Sequence, residues 1–441
     1  MRESMTLVER LKSGEVPESL GRAAAGEPLD AERIAEEIVE GTAVFTLNSR
    51  RENSGRELER PCAIGKGLRT KVNANIGTSA DRADVEAELE KLDAAVGAGA
   101  DAVMDLSTGG DIDLVRRRVV ASSAVPVGTV PIYQAAIEAQ QKYGSIVRMT
   151  ADDMFAAIER HAADGVDFVT VHCGVTKRSL ECLEATGRIA DIVSRGGAFL
   201  SGWIIYNEKE NPLYEDFDRL LEIARSCDLT LSLGDGFRPG AVADATDSAQ
   251  IQELVTLGEL VARCREAGVQ AMVEGPGHVP LGQVVENVRI AKEITRGAPF
   301  YVLGPLVTDV APGYDHIVAG MGGAVAAASG ADFLCYVTPR EHLGLPEVPD
   351  VREGVIVTRI AAHAGDLAKN PGFFMEWDNE MSRARKALKW DRQVELSLDP
   401  VRAGNILSEC RVADESGCTM CGEFCAMKFI SSYLGASRKQ C

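Results

Sequence analysis

Hydrophobic positions along the 441-residue chain fall into three textures. Residues 1–62 are polar with apolar residues at helical spacing. Asp30-Ala-Glu-Arg-Ile-Ala-Glu-Glu-Ile-Val opens on a capping residue and continues as an amphipathic helix. Asn48-Ser-Arg-Arg-Glu-Asn-Ser-Gly reads as a polar loop closed by glycine. From 63 to 349, short apolar runs alternate with longer amphipathic stretches. The runs 71–76, 102–106, 125–129, 168–172, 229–233, 271–274, 300–303 and 333–337 read as strands, with Ile192-Val193 or 199–205 as a further one. Between them lie helices such as 82–98, 151–164, 212–226, 246–267 and 282–295. Strands alternating with helices imply a parallel sheet covered by crossovers. A count of eight or slightly more predicts an α/β chain built as a closed (β/α)₈ TIM-type barrel. From 350 to 441 the pattern is helical again, with 350–368 and 376–393 read as an antiparallel pair carrying a cysteine-rich tail. The expected organisation is therefore a small N-terminal element (1–62), a catalytic barrel (63–349) and a C-terminal helical arm (350–441).

The ends of the expected strands carry the chemistry. Asn75-Ile-Gly77, Asp105 to Gly110, Tyr133-Gln134, His172-Cys-Gly174, Ser194-Arg-Gly-Gly197, Gly234-Asp-Gly-Phe-Arg238, Glu274-Gly-Pro-Gly-His278 and Gly304-Pro305 are each read as following a strand. Barrel active sites are built on that face, and glycines let backbone amides approach a ligand. Of six histidines, His278 and His342 fall there as a candidate metal pair, while His172 and His316 are candidates for substrate contact. His161 reads as solvated and His363 as packing. Arg195 and Arg238 suit a phosphate or carboxylate. Asp235 and Glu274 suit an amine, ribose hydroxyls or proton transfer. Tyr133, Tyr301 and Met104 are candidates for the pocket wall.

Composition narrows the class. A net charge of −19 argues against nucleic acid as a partner and leaves room for an anionic small molecule in a locally basic site. The N-terminus shows no apolar signal region, and no run of about eighteen apolar residues occurs, so a cytoplasmic protein without a membrane span is expected. Neither G-x-S-x-G nor a Walker A loop is present. Seven of the eleven cysteines (Cys62, Cys173, Cys182, Cys227, Cys264, Cys335 and Cys410) are scattered and read mostly as core fillers. Cys418, Cys421 and Cys425 are not scattered. Three thiolates so spaced suit three irons of a four-iron cluster, or equally a zinc knuckle with Cys410 or Cys441 as fourth ligand.

Taken together, KVNANIGTS, VMDLSTGGDI, GTVPIYQA, TVHCGV, VSRGG, SLGDGFRPG, EGPGHVP, APFYVLGPL, APGYDHI, CYVTPREHLGLP and CTMCGEFCAMK resemble the phosphomethylpyrimidine synthases of thiamine biosynthesis, a non-canonical radical S-adenosylmethionine group. The motifs run from about residue 63 to 428. The resemblance implies a (β/α)₈ barrel lyase, paired as a homodimer, with a C-terminal iron–sulfur arm. It implies conversion of aminoimidazole ribotide to hydroxymethylpyrimidine phosphate, using a 4Fe-4S cluster, S-adenosylmethionine, a divalent metal (zinc or iron) and an electron donor such as a flavodoxin or ferredoxin. By position, substrate-binding residues fall on Asn75, Met104, Tyr133, His172, Ser194, Arg195, Gly196, Asp235, Arg238, Glu274 and Tyr301. Metal ligands fall on His278 and His342, and cluster ligands on Cys418, Cys421 and Cys425.

Four departures stand out. Three residues rather than four separate the last two cysteines; Phe237 stands where many members have Leu; the 48–55 loop lacks a histidine; and the large N-terminal domain of longer members is missing. Phe237 and that loop keep a second product in view: hydroxybenzimidazole, made from the same ribotide by an anaerobic paralogue serving cobamide synthesis. Two readings from other classes are a zinc-dependent barrel hydrolase with a structural zinc in its tail, and a non-catalytic ligand-binding barrel.

Overall fold

In a computed structural model, residues 5–55, 57–410 and 420–437 are described. Eight parallel strands close into a barrel: β1 (Lys71–Ile76), β2 (Ala102–Asp105), β3 (Val127–Thr129), β4 (Phe168–Val171), β5 (Thr230–Leu233), β6 (Ala271–Gly275), β7 (Phe300–Leu303) and β8 (Phe333–Cys335). Pairing of β8 with β1, Phe333 opposite Lys71, completes the ring. These strands are short and rich in Val, Leu and Phe because both faces are covered: one by helices, the other by the barrel's own filling. Two strand glycines make room for that filling. A Cβ on Gly128 would stand 2.2 Å from the Phe168 ring, and one on Gly275 2.1 Å from Phe300.

The extra strand at 192–193 or 199–205 does not exist. Residues 195–207 form a helix, which Ser194 caps by accepting a bond from the Gly197 amide at 3.2 Å. Leu200, Trp203 and Ile204 form its buried face, a helical spacing that an apolar run also satisfies. Ser194–Gly197 accordingly begins this helix, within the crossover from β4 to β5, and does not follow a strand directly. Helices over Ile112–Ser122, Pro131–Tyr143 and Asp315–Ser329 complete three further crossovers.

The barrel's lower mouth, at the N-terminal strand ends, is sealed by the first 65 residues. Asp30 caps the helix Ala31–Glu40, and strand Ala43–Phe45 pairs antiparallel with Ala63–Gly65. The Gln270 side chain bonds both the amide and the carbonyl of Phe45, just before β6. The expected 48–55 loop contains a short helix, Ser49–Asn53, and it carries a buried ion pair. Arg51 donates to Asp167 at 2.6 Å and to the Ser123 carbonyl at 2.7 Å, while Asn48 donates to the carbonyls of Ala162 and Val166. Asp167 immediately precedes β4, so this segment lies under the barrel, opposite the catalytic face.

The chain divides into two compact units, one running to Lys369 and one from Asn370 onward. The helix Val348–Lys369 belongs to the first, where it packs on Asp315–Ser329, on Val85–Ala98 and on β1. In the second unit the expected helix 376–393 is two helices, Pro371–Lys386 and Trp390–Glu395, separated where Leu388 takes a φ of 54°. Pro400–Cys410 and Ala426–Ser437 follow. Among the described residues no helix is long and apolar enough to cross a membrane.

Replacing Arg51 by Ala leaves Asp167 buried without its counter-ion, a change that costs about 3–5 kcal/mol. Urea unfolding of the full chain is expected to show that loss, while activity per folded molecule stays at the wild-type level because the pair lies on the far side of the barrel.

Candidate active site

Side chains at alternate positions of a barrel strand point inward. Asn75, Met104, Glu274 and Tyr301 from the strands, with His172, Asp235 and Arg238 from the loops that follow them and Tyr133 from the helix Pro131–Tyr143, meet around one inner cavity of about 80 Å³. Above it opens a wider chamber of about 510 Å³ that shares Asn75, Tyr133 and Arg238 and adds Arg195. The Arg195 guanidinium lies 4.8 Å from the centre of the Tyr133 ring. Ser194 and Gly196 line neither space. Ser194 caps the helix, and Gly196 forms one side of a slot for His172. A Cβ on Gly196 would stand 2.3 Å from the imidazole, and one on Gly234 2.9 Å from it. No other residue type fits on either side of that ring.

Charge is crowded at the inner cavity. Asp235 pairs with Arg238 at 3.2 Å through Oδ1, while its buried Oδ2 has no partner within the protein. Burial pushes its carboxyl up to about 8, against the pull of Arg238 and with added repulsion from Glu274. Burial also raises Glu274, although Thr170 and Ser232 both donate to its Oε1, at 2.6 and 2.7 Å. Burial, then Arg238, lowers His172 to about 3, so its imidazole is neutral. Its buried Nδ1, on the side of Gly196, finds no partner within the protein. On the opposite wall, Asn73 donates to the Tyr301 hydroxyl and to Asn75 Oδ1, both at 2.8 Å. The Tyr301 hydroxyl reaches the Met104 sulfur at 3.6 Å.

His278 and His342 come together, with ring centres 5.3 Å apart. Each Nδ1 meets a carboxylate: Asp309 at 2.8 Å for His278 and Asp315 at 2.9 Å for His342. An ionised carboxylate makes Nδ1–H the donor and leaves the Nε2 lone pair free, the arrangement in which imidazoles bind metals. Among the described residues no group of three or more His, Cys, Asp or Glu is placed to hold an ion. Two imidazoles so oriented are the protein's only donors here among the described residues, and a cation on them would take its remaining ligands from water or substrate.

Several expectations need correction. His316 is buried against Glu353, at 3.6 Å, and lines neither space. His161 is buried, not solvated, and bonds Thr129 and Gln134. Cys335 is no filler: it lines the inner cavity and accepts from Asn75 Nδ2 at 3.1 Å. Thr170, Ser232, Asn73, Asp309 and Asp315 escaped sequence reasoning. Strand alternation pairs Thr170 with His172 and Asn73 with Asn75, which was the available signal. Phe237 is fully buried and is not among the residues lining either space.

The description of the radical SAM ThiC family matches residues 6–432. The chain belongs to that family. It is 60% identical over 437 residues to a phosphomethylpyrimidine synthase from Moorella thermoacetica, covering 99% of this chain and all of that protein. Enzymes of the same name from Desulforamulus reducens (58%; 99% of this chain, 100% of that one) and Geobacter metallireducens (56%; 98% of each) are similar throughout. A dihydropteroate synthase from Coxiella burnetii overlies the chain loosely, at 12% identity and a TM-score of 0.39 over 70% of this chain and 98% of that one.

A radical SAM ThiC protein is an enzyme that uses S-adenosylmethionine and a 4Fe-4S cluster. Of the three expected cluster ligands, Cys418 lies outside the described residues. Cys421 and Cys425 are free thiols on either side of a single turn, Gly422–Phe424, the first exposed and the second half-buried. A donor set of accessible, unpaired thiols at this spacing fits a cluster.

The folded chain holds the Asp235 proton far more tightly than the unfolded chain, whose carboxyl titrates near 3.8. Stability from this group is full below that value and falls as pH rises towards 8. Asp235→Asn is therefore expected to raise the melting temperature by a few degrees. The gain should widen between pH 5 and 8 in thermal melts; parallel curves for variant and wild type would show that Asp235 ionises normally.

Proposed function

We propose that the inner cavity takes the imidazole and ribose of aminoimidazole ribotide and that Arg195, at the outer chamber, takes its phosphate. The reaction is that of a phosphomethylpyrimidine synthase: radical SAM conversion of aminoimidazole ribotide to hydroxymethylpyrimidine phosphate in thiamine biosynthesis. The observation that carries the residue assignment is the polarity of the pocket, with two carboxyls at the inner cavity and a guanidinium farther out. Asp235 and Glu274 accept bonds from the ring amine and the ribose hydroxyls; burial raises the proton affinity of both, and Asp235, pushed up to about 8, can hold or release a proton near neutrality. Arg238 keeps Asp235 oriented. Ser194 and Gly196 set Arg195 at the start of a 13-residue helix, a position that favours an anion. Neutral His172 contacts the ligand. Tyr301, Asn75 and Met104 shape the wall, and Tyr133 stacks under Arg195.

Cys418, Cys421 and Cys425 would hold the 4Fe-4S cluster, and Nε2 of His278 and His342 a zinc or ferrous ion. With S-adenosylmethionine bound, the cluster supplies the one-electron reduction that starts the radical reaction. A flavodoxin or ferredoxin as electron donor, a homodimer and a cytoplasmic setting belong to the same reading.

The deciding assay is anaerobic, with cluster-loaded protein, reductant, S-adenosylmethionine and aminoimidazole ribotide. Mass spectrometry is expected to find hydroxymethylpyrimidine phosphate, and Cys425→Ala to form no deoxyadenosine. Hydroxybenzimidazole as product would overturn the assignment.

Metal content gives a separate check. Asp309→Ala and Asp315→Ala free one imidazole each, so affinity for zinc is expected to fall about 10–100-fold in chelator competition. Wild-type affinity in both variants would refute the histidine site.

A further inference from the structure

Behind the wall of the inner cavity lies a second one of about 20 Å³, room for one water. Asp235, Glu253, Arg238, Glu274, Gln250 and Asn287 lie around it. Two oxygens of this group have no partner within the protein: Oδ2 of Asp235 and Oε1 of Glu253. Both side chains are more than nine-tenths buried, Asp235 at 7% and Glu253 at 2% exposure. The second oxygen of Glu253, Oε2, accepts the Phe237 amide at 2.8 Å, which fastens it to the loop that carries Asp235. Oε1 sits against the same loop, since a Cβ on Gly236 would stand 3.1 Å from it.

A buried carboxyl with no counter-ion is neutral. Among the described residues no Lys, Arg or His forms an ion pair with Glu253. Arg188, the cation nearest in effect, is taken by Asp247 at 2.7 Å. Asp235 and Arg238 face Glu253 from the loop after β5, and Glu274 from the end of β6. Gln250, on the Glu253 helix (Ser248–Glu266), and Asn287, on the adjoining helix (Leu281–Ile294), are uncharged and bond each other at 2.7 Å. Burial first, then repulsion by Asp235, drives the Glu253 carboxyl well above the usual range. A neutral acid has one O–H to donate, and the unpartnered acceptor beside the same cavity is Asp235 Oδ2.

We propose that Glu253 is a positioning residue for the reaction: as a neutral carboxylic acid it donates, through one water in the small cavity, to Asp235 and so sets the charge that Asp235 turns towards the ligand. This rests on the reading of Asp235 as a ligand-contacting group. Glutamine can accept the Phe237 amide and donate from its own amide, so it reproduces a neutral acid. Leucine fills similar space and donates nothing.

The test is the affinity of the full-length, cluster-loaded protein for aminoimidazole ribotide, measured by calorimetry from pH 6 to 9.5 without S-adenosylmethionine. Glu253→Gln is expected to keep the wild-type pH midpoint, and Glu253→Leu to raise it by about one unit, the roughly tenfold effect of one hydrogen bond to a charged group. A midpoint that drops in Glu253→Gln would mean that a negative charge had been removed, and the proposal fails. It fails equally if neither variant moves the midpoint and only stability changes. Infrared spectroscopy decides independently: a protonated-carboxyl band should persist above pH 9 in the wild type and vanish in Glu253→Gln, and its absence from the wild type overturns the proposal. If the wild type binds no ribotide at any pH, the pocket assignment is what falls, and the infrared band alone judges Glu253.

Discussion

The catalytic end of this barrel is governed by a shortage of positive charge. Three carboxyls, the buried Asp235 and Glu253 and the half-buried Glu274, lie around Arg238, the one cationic side chain among the described residues lining the inner cavity. In a pocket of low dielectric, like charges at short range cannot all ionise. Glu274 is held by two hydroxyls, Asp235 by Arg238, and Glu253 by backbone amides without a cation. Each carboxyl therefore has a different proton affinity, although all three are Asp or Glu in one pocket. A ligand that brings an amine and hydroxyls supplies the missing donors, so binding and protonation are coupled.

The lower mouth shows the opposite arrangement. Arg51 meets Asp167, Lys71 meets Glu27, and Arg69 bridges Glu27 and Asp101, so every carboxylate there faces a cation. Paired charges there tie the ends of the strands to the segments beneath them. The division follows the general logic of the fold, with stability beneath and chemistry at the C-terminal ends of the strands. It also answers the two departures that kept a benzimidazole product in view. The 48–55 segment belongs to the stabilising end, and the Phe237 side chain is buried away from both ligand spaces; what Phe237 gives the site is its backbone amide.

The barrel was legible because a parallel strand covered on both faces reads as a short, continuous apolar run, and all eight runs mark true strands. The reading failed where an apolar run has helical spacing, as at Phe199–Ile204, and where a polar segment is buried by an ion pair, as at Arg51. Site residues adjoining glycine-rich strand ends, such as Asp235 and His278, were visible for the same steric reason that makes the glycines necessary. Small in-strand residues without such a marker were not. Thr170, Ser232 and Cys335 look like ordinary filling until the barrel closes and turns them inward. Asp309 and Asp315 carry no local signal at all, because their partners are 31 and 27 residues away in sequence.

Those two aspartates explain how histidines from different loops come to face each other. His278 follows β6 and His342 follows β8, so β7 stands between their strands in the barrel. Asp309 and Asp315 both come from the segment after β7. That segment is itself tied to the first histidine's loop, since the Leu306 amide donates to the Gly277 carbonyl at 2.7 Å and the Val279 amide to the Leu306 carbonyl at 2.9 Å. One connection thus grips His278 from both sides and reaches across to His342. Strand order, not sequence proximity, builds the pair. A shift of the β7 connection would therefore disturb Asp309 and Asp315 and, through them, both imidazoles.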